Sequence, residues 1–209
     1  KAGKTVICEK PIATNLKGLN SIILLSNKLK KNVYVKQYFR YSLANQKLRE
    51  LLNQNIIGRP YLVQSTFTGD ASNDFTYTRT WRSNQYEAGG GVFIDVGVHM
   101  LDLLISLFGS PHAVFAQSSK IVSELQQKGE EVISVLIDFP KKLLGNITCT
   151  HIDKGYGFRW EIRIYGLKGI ISISDHGKQE KVLQVIKEKR IEYEYRETDW
   201  WRKTNIRAL

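Results

Sequence analysis

FRWEIRIY, residues 158–165, alternates without a break. Phe158, Trp160, Ile162 and Ile164 fall on one side, and Arg159, Glu161 and Arg163 on the other. Successive side chains of a strand point to opposite faces, so a period of two predicts a strand with one buried and one wet face. IEYEYRE (191–197) repeats the pattern, and YGLKGII (165–171) reads as strand, glycine-containing turn and strand. Further strands are expected over 112–120, 132–139, 143–151 and 182–187. Short strands at close spacing, joined by hairpin turns, predict a largely antiparallel sheet.

The N-terminal part reads differently. TVIC (5–8) is a short β-branched apolar run, EKPIATN turns the chain, and Asn15 is placed to cap a helix running to about residue 31. Leu16, Leu19, Ile22, Ile23 and Ser26 lie along one stripe of that helix. NVYVKQYF (32–39) is expected to be a second strand. Strand, helix, strand in this order predicts a parallel α/β unit. An amphipathic helix over 42–55 follows, ended by Gly58 and Pro60, then a strand over 61–67. Residues 68–88 are polar and aromatic-flecked, as suits a loop lining a site.

The expected class is therefore α+β. Residues 1–41 read as the last βαβ remnant of a parallel α/β domain, and 42–209 as an α+β domain with a large, mostly antiparallel open sheet. Two strands make a poor sheet, so the remainder of the first one is expected upstream. Lys1 opens the sequence, Met100 is its sole methionine, and DWWRKTNIRAL (199–209) resembles the start of a final helix. A fragment truncated at both ends is the expectation.

Composition narrows the function. At 209 residues and 42% apolar content the chain can bury a sizeable core. No run approaches about 18 apolar residues, so no membrane-crossing helix is expected. Two distant cysteines, Cys8 and Cys149, are no disulfide framework, and a reducing cytoplasm is the default. Lysine and arginine exceed acids by 11, partly in KLKK (28–31) and KEKR (187–190). Neither run is interleaved with aromatics, so solvated faces rather than a nucleic-acid surface are expected.

Chemistry concentrates in GGGVFIDVGVHMLDLLISLFG (89–109), read as one helix over 92–108. Asp95, His99 and Asp102 stand at i, i+4 and i+7, on one helical face. Buried unpaired charges are costly, so three such groups in an apolar helix point to a site rather than to packing. Gly97 inside the helix costs about 1 kcal/mol against alanine and leaves room for close approach. No second histidine cluster or cysteine pair completes a metal site, so none is expected, and no G-x-S-x-G turn supplies a serine nucleophile. CEKP (8–11) lies at the C-terminal end of a predicted parallel strand, where ligands bind in open α/β sheets.

AGKTVICEKPIATN, NIIGRPYLVQSTF, WRSNQYEAGGGVFIDVGVHMLDLLISLFG and IYGLKGIISI occur in this order. Together they resemble the glucose–fructose oxidoreductase / inositol dehydrogenase / MocA family of NAD(P)-dependent oxidoreductases, over nearly the whole chain. The resemblance implies a Rossmann domain followed by an α+β domain whose open sheet serves oligomer contacts. It implies Glu9, Lys10 and Pro11 beside the nicotinamide, with Lys10 also on the substrate hydroxyl. Asp95 and His99 match the family's catalytic pair. Arg40, Trp81 and Arg82 fall where members line the sugar pocket, and Asp102, grouped with them as substrate-binding, matches the family's trailing aspartate, an orienting or structural residue. The implied activity interconverts a secondary alcohol and a ketone on a sugar, cyclitol or derivative, with NAD or NADP. The sequence departs from the pattern in lacking G-x-G-x-x-G and the acidic residue that follows it. A chain without them is expected not to turn over alone, and a binding or oligomerisation remnant without catalysis is the other reading.

Overall fold

The computed structural model describes residues 4–71, 82, 85–122, 129–155, 157–175 and 179–195. Trp81, most of the expected loop and residues 196–209 lie outside them.

The first strands are short. β1 (Val6–Cys8) pairs in parallel with β2 (Val33–Val35), Val6 opposite Val33 and Cys8 opposite Val35. Between them runs α1 (Leu16–Leu29), where the Asn15 side chain accepts the Gly18 amide at 2.9 Å. That contact satisfies one of the amides left open in a first helical turn. The expected apolar stripe does not reach a core here. No α1 residue is buried, and Leu16 is 76% exposed. The expected second strand is also too long. Its ladder ends where the Lys36 amide reaches the Cys8 carbonyl, and Tyr38–Tyr41 form a 3-10 turn. That turn buries Phe39 against Trp160, ring centroids 4.6 Å apart, which no straight strand from β2 would do.

α2 (Leu43–Asn53) is capped by Ser42, whose hydroxyl accepts the Asn45 amide. β3 (Pro60–Thr68) leads through a short helical turn, Gln85–Ala88, into the segment read as one helix. It is two pieces. Phe93–Gly97 winds as a π-helix, with the Val98 amide reaching back to the Phe93 carbonyl, and α3 (Val98–Phe108) continues it. Gly97 is the reason the wide turn fits. A Cβ there would stand 2.4 Å from the Phe93 ring.

β4 (Ala113–Ser119), β5 (Val132–Phe139), β6 (Leu143–Thr150), β7 (Arg159–Gly166), β8 (Gly169–Asp175), β9 (Glu180–Ile186) and β10 (Lys189–Tyr195) follow. They form an eight-stranded sheet ordered β10-β9-β8-β7-β3-β6-β5-β4. Every neighbouring pair is antiparallel except β3 and β6, where Ser65 faces Ile147 in a parallel register. The alternation of β7 holds. Trp160, Ile162 and Ile164 are buried, while Arg163 is exposed. Val63, Ile147, Ile162, Ile171 and Ile173 line the same face beneath α2 and α3. Each such side chain, fully buried, stabilises the fold by roughly 1.5–3 kcal/mol relative to exposure. Arg49 ties the helices together through a 2.9 Å bond to the Ser106 hydroxyl. The other face is open, with Leu136, Leu144 and Tyr61 exposed. Among the described residues no helix is long and apolar enough to cross a membrane.

Candidate active site

The sheet, the π-turn and the end of β1 meet at a cleft of about 500 Å³. Lys10, just after β1, reaches across to the π-turn, its Nζ 3.0 Å from Asp95 Oδ1 and also bonded to the Asp95 carbonyl. Arg82 Nε donates to Asp95 Oδ2 at 3.0 Å. His151, one residue past β6 and 1% exposed, places Nε2 at 3.9 Å from that same oxygen. One carboxylate therefore gathers three basic side chains from three parts of the chain.

His99, in the first turn of α3, is 7% exposed. Its Nδ1 lies 2.9 Å from Gln37 Oε1, and its ring leans on Tyr38 at 5.1 Å between centroids. The helix start that carries both residues is pinned from β5's side. The Glu130 carboxylate accepts the Gly91 and Phe93 amides at 3.0 and 2.9 Å, and the Glu130 carbonyl accepts the Val92 amide. A carboxylate at a helix start answers both the open amides and the helix dipole.

The electrostatics follow from this packing. Burial alone would raise the Asp95 carboxyl, but the Lys10 and Arg82 charges, each also hydrogen bonded to it, outweigh that and hold it below the usual aspartate value. Burial pushes His99 down to about 4, with Lys10 adding to the effect and Asp95 opposing it. Burial likewise lowers His151. At neutral pH the site presents an ionised Asp95 beside a neutral imidazole, the arrangement that a proton acceptor requires.

Of the residues singled out in the sequence, Lys10, Arg82, Asp95 and His99 line this one cleft. Arg40 and Asp102 do not line it. They pair with each other through two 2.5 Å bonds and face a second hollow beside Thr5, Ile7 and Tyr34. The i+7 spacing that put Asp102 with Asp95 assumed a regular helix, and the π-turn between them changes the phase. Glu9 is 66% exposed in its side chain and pairs with Lys36 at 3.0 Å. Pro11 follows Lys10 through a cis peptide bond. Gln37 and His151 were not singled out. Gln37 carried no usable signal, because the strand was expected to run on to Phe39 and the end of its ladder at Val35 is seen only in the structure. His151 carried none, ending an alternating strand like any satisfied polar residue. Among the described residues no group of three or more His, Cys, Asp or Glu is placed to hold a metal ion.

This architecture is shared with solved NAD-binding oxidoreductases. Levoglucosan dehydrogenase, in complex with NADH and levoglucosan, superposes with a TM-score of 0.83 at 21% identity, covering 99% of this chain and 63% of that one. Aldose–aldose oxidoreductase from Caulobacter crescentus, complexed with glycerol, gives 0.83 at 21% identity over 99% and 61%. The chain belongs to the GFO/IDH/MocA family, residues 45–172 matching the model of the GFO/IDH/MocA C-terminal domain. In sequence it is 29% identical over 174 residues to myo-inositol 2-dehydrogenase of Thermotoga maritima, covering 82% of this chain and 49% of that protein. It is 26% identical over 175 residues to trans-1,2-dihydrobenzene-1,2-diol dehydrogenase of Danio rerio, covering 84% and 49%. The chain thus spans about half the length of these curated relatives.

Proposed function

We propose that this chain carries the substrate site of a nicotinamide-dependent oxidoreductase interconverting a secondary alcohol and a ketone on a sugar, cyclitol or derivative. The observation that carries the reading is the convergence of Lys10 with Asp95 and His99, which lie 85 residues and more away in sequence, on one cleft. Relatives named as inositol and dihydrodiol dehydrogenases support it. In this reading residues 1–41 belong to the dinucleotide-binding domain and 42–209 to the substrate domain. The exposed Leu136, Leu144 and Tyr61 on the open sheet suit a homo-oligomer contact.

The residues present fit one end of such a cofactor. Glu9, Lys10 and Pro11 stand at the C-terminal end of β1, where open α/β sheets take their ligands, and Lys10 borders the cleft. No described residue belongs to a G-x-G-x-x-G turn, so these residues would hold the nicotinamide end alone. A bound nicotinamide supplies the hydride acceptor.

The chain's own groups handle the proton. The substrate hydroxyl lies between Lys10 and His99, and its proton passes to the imidazole as the carbonyl forms. Lys10 stabilises negative charge developing on that oxygen. Asp95 holds Lys10 and Arg82 in place and favours the imidazolium that results. In the reverse direction the same imidazolium returns the proton to the carbonyl oxygen.

The test is cofactor reduction by the intact protein across inositols, aldoses and anhydrosugars, with His99→Ala beside the wild type. The variant is expected to lose turnover by about 100-fold or more, as for loss of a general base, while keeping cofactor affinity. Unchanged turnover would remove His99 from the mechanism. Ligand binding without turnover in the wild type would favour a binding module.

A further inference from the structure

Three consecutive residues, Gln37, Tyr38 and Phe39, surround the His99 ring. Gln37 meets its edge at Nδ1, and the Tyr38 and Phe39 rings lie 5.1 and 6.2 Å from it. The segment is held at both ends. The Lys36 amide is bonded to the Cys8 carbonyl, and the Phe39 carbonyl accepts the Asn45 side-chain amide. A neutral imidazole has one N–H and one lone-pair nitrogen, and the hydrogen bond at one nitrogen decides the role of the other.

The geometry points to Gln37 as the residue that fixes the tautomer of His99, keeping the proton on Nδ1 and leaving Nε2 as the acceptor in the cleft. The amide oxygen accepts from Nδ1–H. Nδ1 is then committed to the scaffold, and among the described residues Nε2 has no protein partner. A hydrogen bond of ordinary strength, worth about 1 kcal/mol, biases the two tautomers about fivefold. The choice of an amide over a carboxylate also has a consequence. A glutamate at this position would hold the imidazolium and raise the basicity of the ring, whereas glutamine orients it without charge. The other titratable groups around the ring are Lys10, Asp95 and Tyr38, the last held in its neutral form by burial and by Glu9 and Asp95. Gln37 is thus a positioning residue. Its catalytic meaning rests on the alcohol–ketone reading, but the tautomer itself does not.

The experiment is two-bond ¹⁵N–¹H correlation spectroscopy of the full chain with ¹⁵N-labelled histidine at neutral pH. The signals of the 4 histidines are assigned by single replacement. The expected result is a protonated, pyrrole-like Nδ1 and a pyridine-like Nε2 for His99. In Gln37→Leu that preference should fall about fivefold, and in Gln37→Glu the titration midpoint of His99 should move upward. If Gln37→Leu fails to fold, the wild-type spectrum decides alone. A proton on Nε2 in the wild type, or an unchanged tautomer ratio in a folded Gln37→Leu, would overturn the assignment. The stated tautomer in a protein that turns over no alcohol would remove the proposed activity and leave this inference standing. Turnover with Nε2 protonated would do the reverse.

Discussion

Lys10 Nζ and Asp95 Oδ1, 85 residues apart in sequence, stand 3.0 Å apart at the wall of the cleft. Both side chains are nearly buried, so neither charge can lose the other cheaply. Lys10→Met should therefore do two things. Catalytic efficiency should fall by about 100-fold or more, since the oxygen loses its cation. Stability should fall by about 1–3 kcal/mol, because Asp95 keeps only Arg82 as a bonded cation. Steady-state kinetics and urea denaturation read the two separately. Loss of stability alone would make Lys10 a strut rather than a catalytic residue.

Acid should destabilise the protein through His99. The ring titrates at 6.5 when unfolded and at about 4 when folded, so the unfolded chain takes up the proton first. Stability present above pH 6.5 is lost as the pH falls toward 4, by on the order of 3 kcal/mol. Asp95 and His151 are also depressed and act in the same direction at their own pH. Denaturation midpoints at pH 7 and 4.5 check this, and His99→Gln should flatten the difference. The acid limb of alcohol oxidation should likewise lie well below pH 6.5. A limb at 7 would contradict it.

Arg40 and Asp102 give a contrasting expectation. They line a second hollow rather than the cleft, and Arg40 is more than a third exposed. A double-mutant cycle with Arg40→Met and Asp102→Asn should return a coupling of about 1 kcal/mol after solvent screening. KM for the substrate should stay within about twofold, the change expected where no substrate contact is lost. A tenfold rise would bring the pair into the substrate site.

Gly91 is fixed by close approach. A Cβ there would lie 2.0 Å from the Glu130 carbonyl oxygen, on the segment that anchors the helix start. Gly91→Ala should cost about 3 kcal/mol or more, since backbone must move against backbone. Gly157, with nothing within 4 Å of the same built atom, is the control, and Gly157→Ala should change stability by about 0.5 kcal/mol or less. Equal effects would refute the steric account.

The β9–β10 turn carries strain that can be removed. Lys187 and Glu188 both adopt positive φ, at 46° and 67°, in a two-residue turn that favours Asn-Gly. Replacing them by Asn and Gly should raise stability by roughly 0.5–1 kcal/mol. Thermal denaturation would show it as a higher Tm, and an unchanged Tm would mean the turn is already relaxed.

Most of the sheet was legible because its inner strands are half-buried, whereas β4, exposed along its whole length, was marked only by its composition. Alternation in β7 and β10 needs no tertiary information, and β5 falls at 132–139 as the pattern predicts. The helix cap at Asn15 was equally local. What failed depended on neighbours. Nothing in α1 announces that its apolar stripe stays exposed. The π-turn depends on the space that Gly97, lacking a Cβ, leaves for the Phe93 ring, which periodicity cannot express. Lys10, Asp95 and His99 could be proposed because motif and helical spacing marked them. His151 could not, because its role comes from the packing of β6 beside the π-turn.

The central place of β3 has a consequence for how the molecule is assembled. It precedes all its partners, yet it must be wedged between β6 and β7, and Thr68 finds Arg159 across 91 residues. β5–β6, β7–β8 and β9–β10 are joined by turns of two or three residues, local closures that are faster than long ones, so β4–β6 and β7–β10 are expected to pair before β3 joins them. They make two half-sheets with a gap between them. β3 fills that gap, and with it Phe67 comes to the cleft wall opposite Trp160. The cleft is therefore expected among the last features of the chain to form, because one of its walls waits for the most distant strand pairing in the sheet.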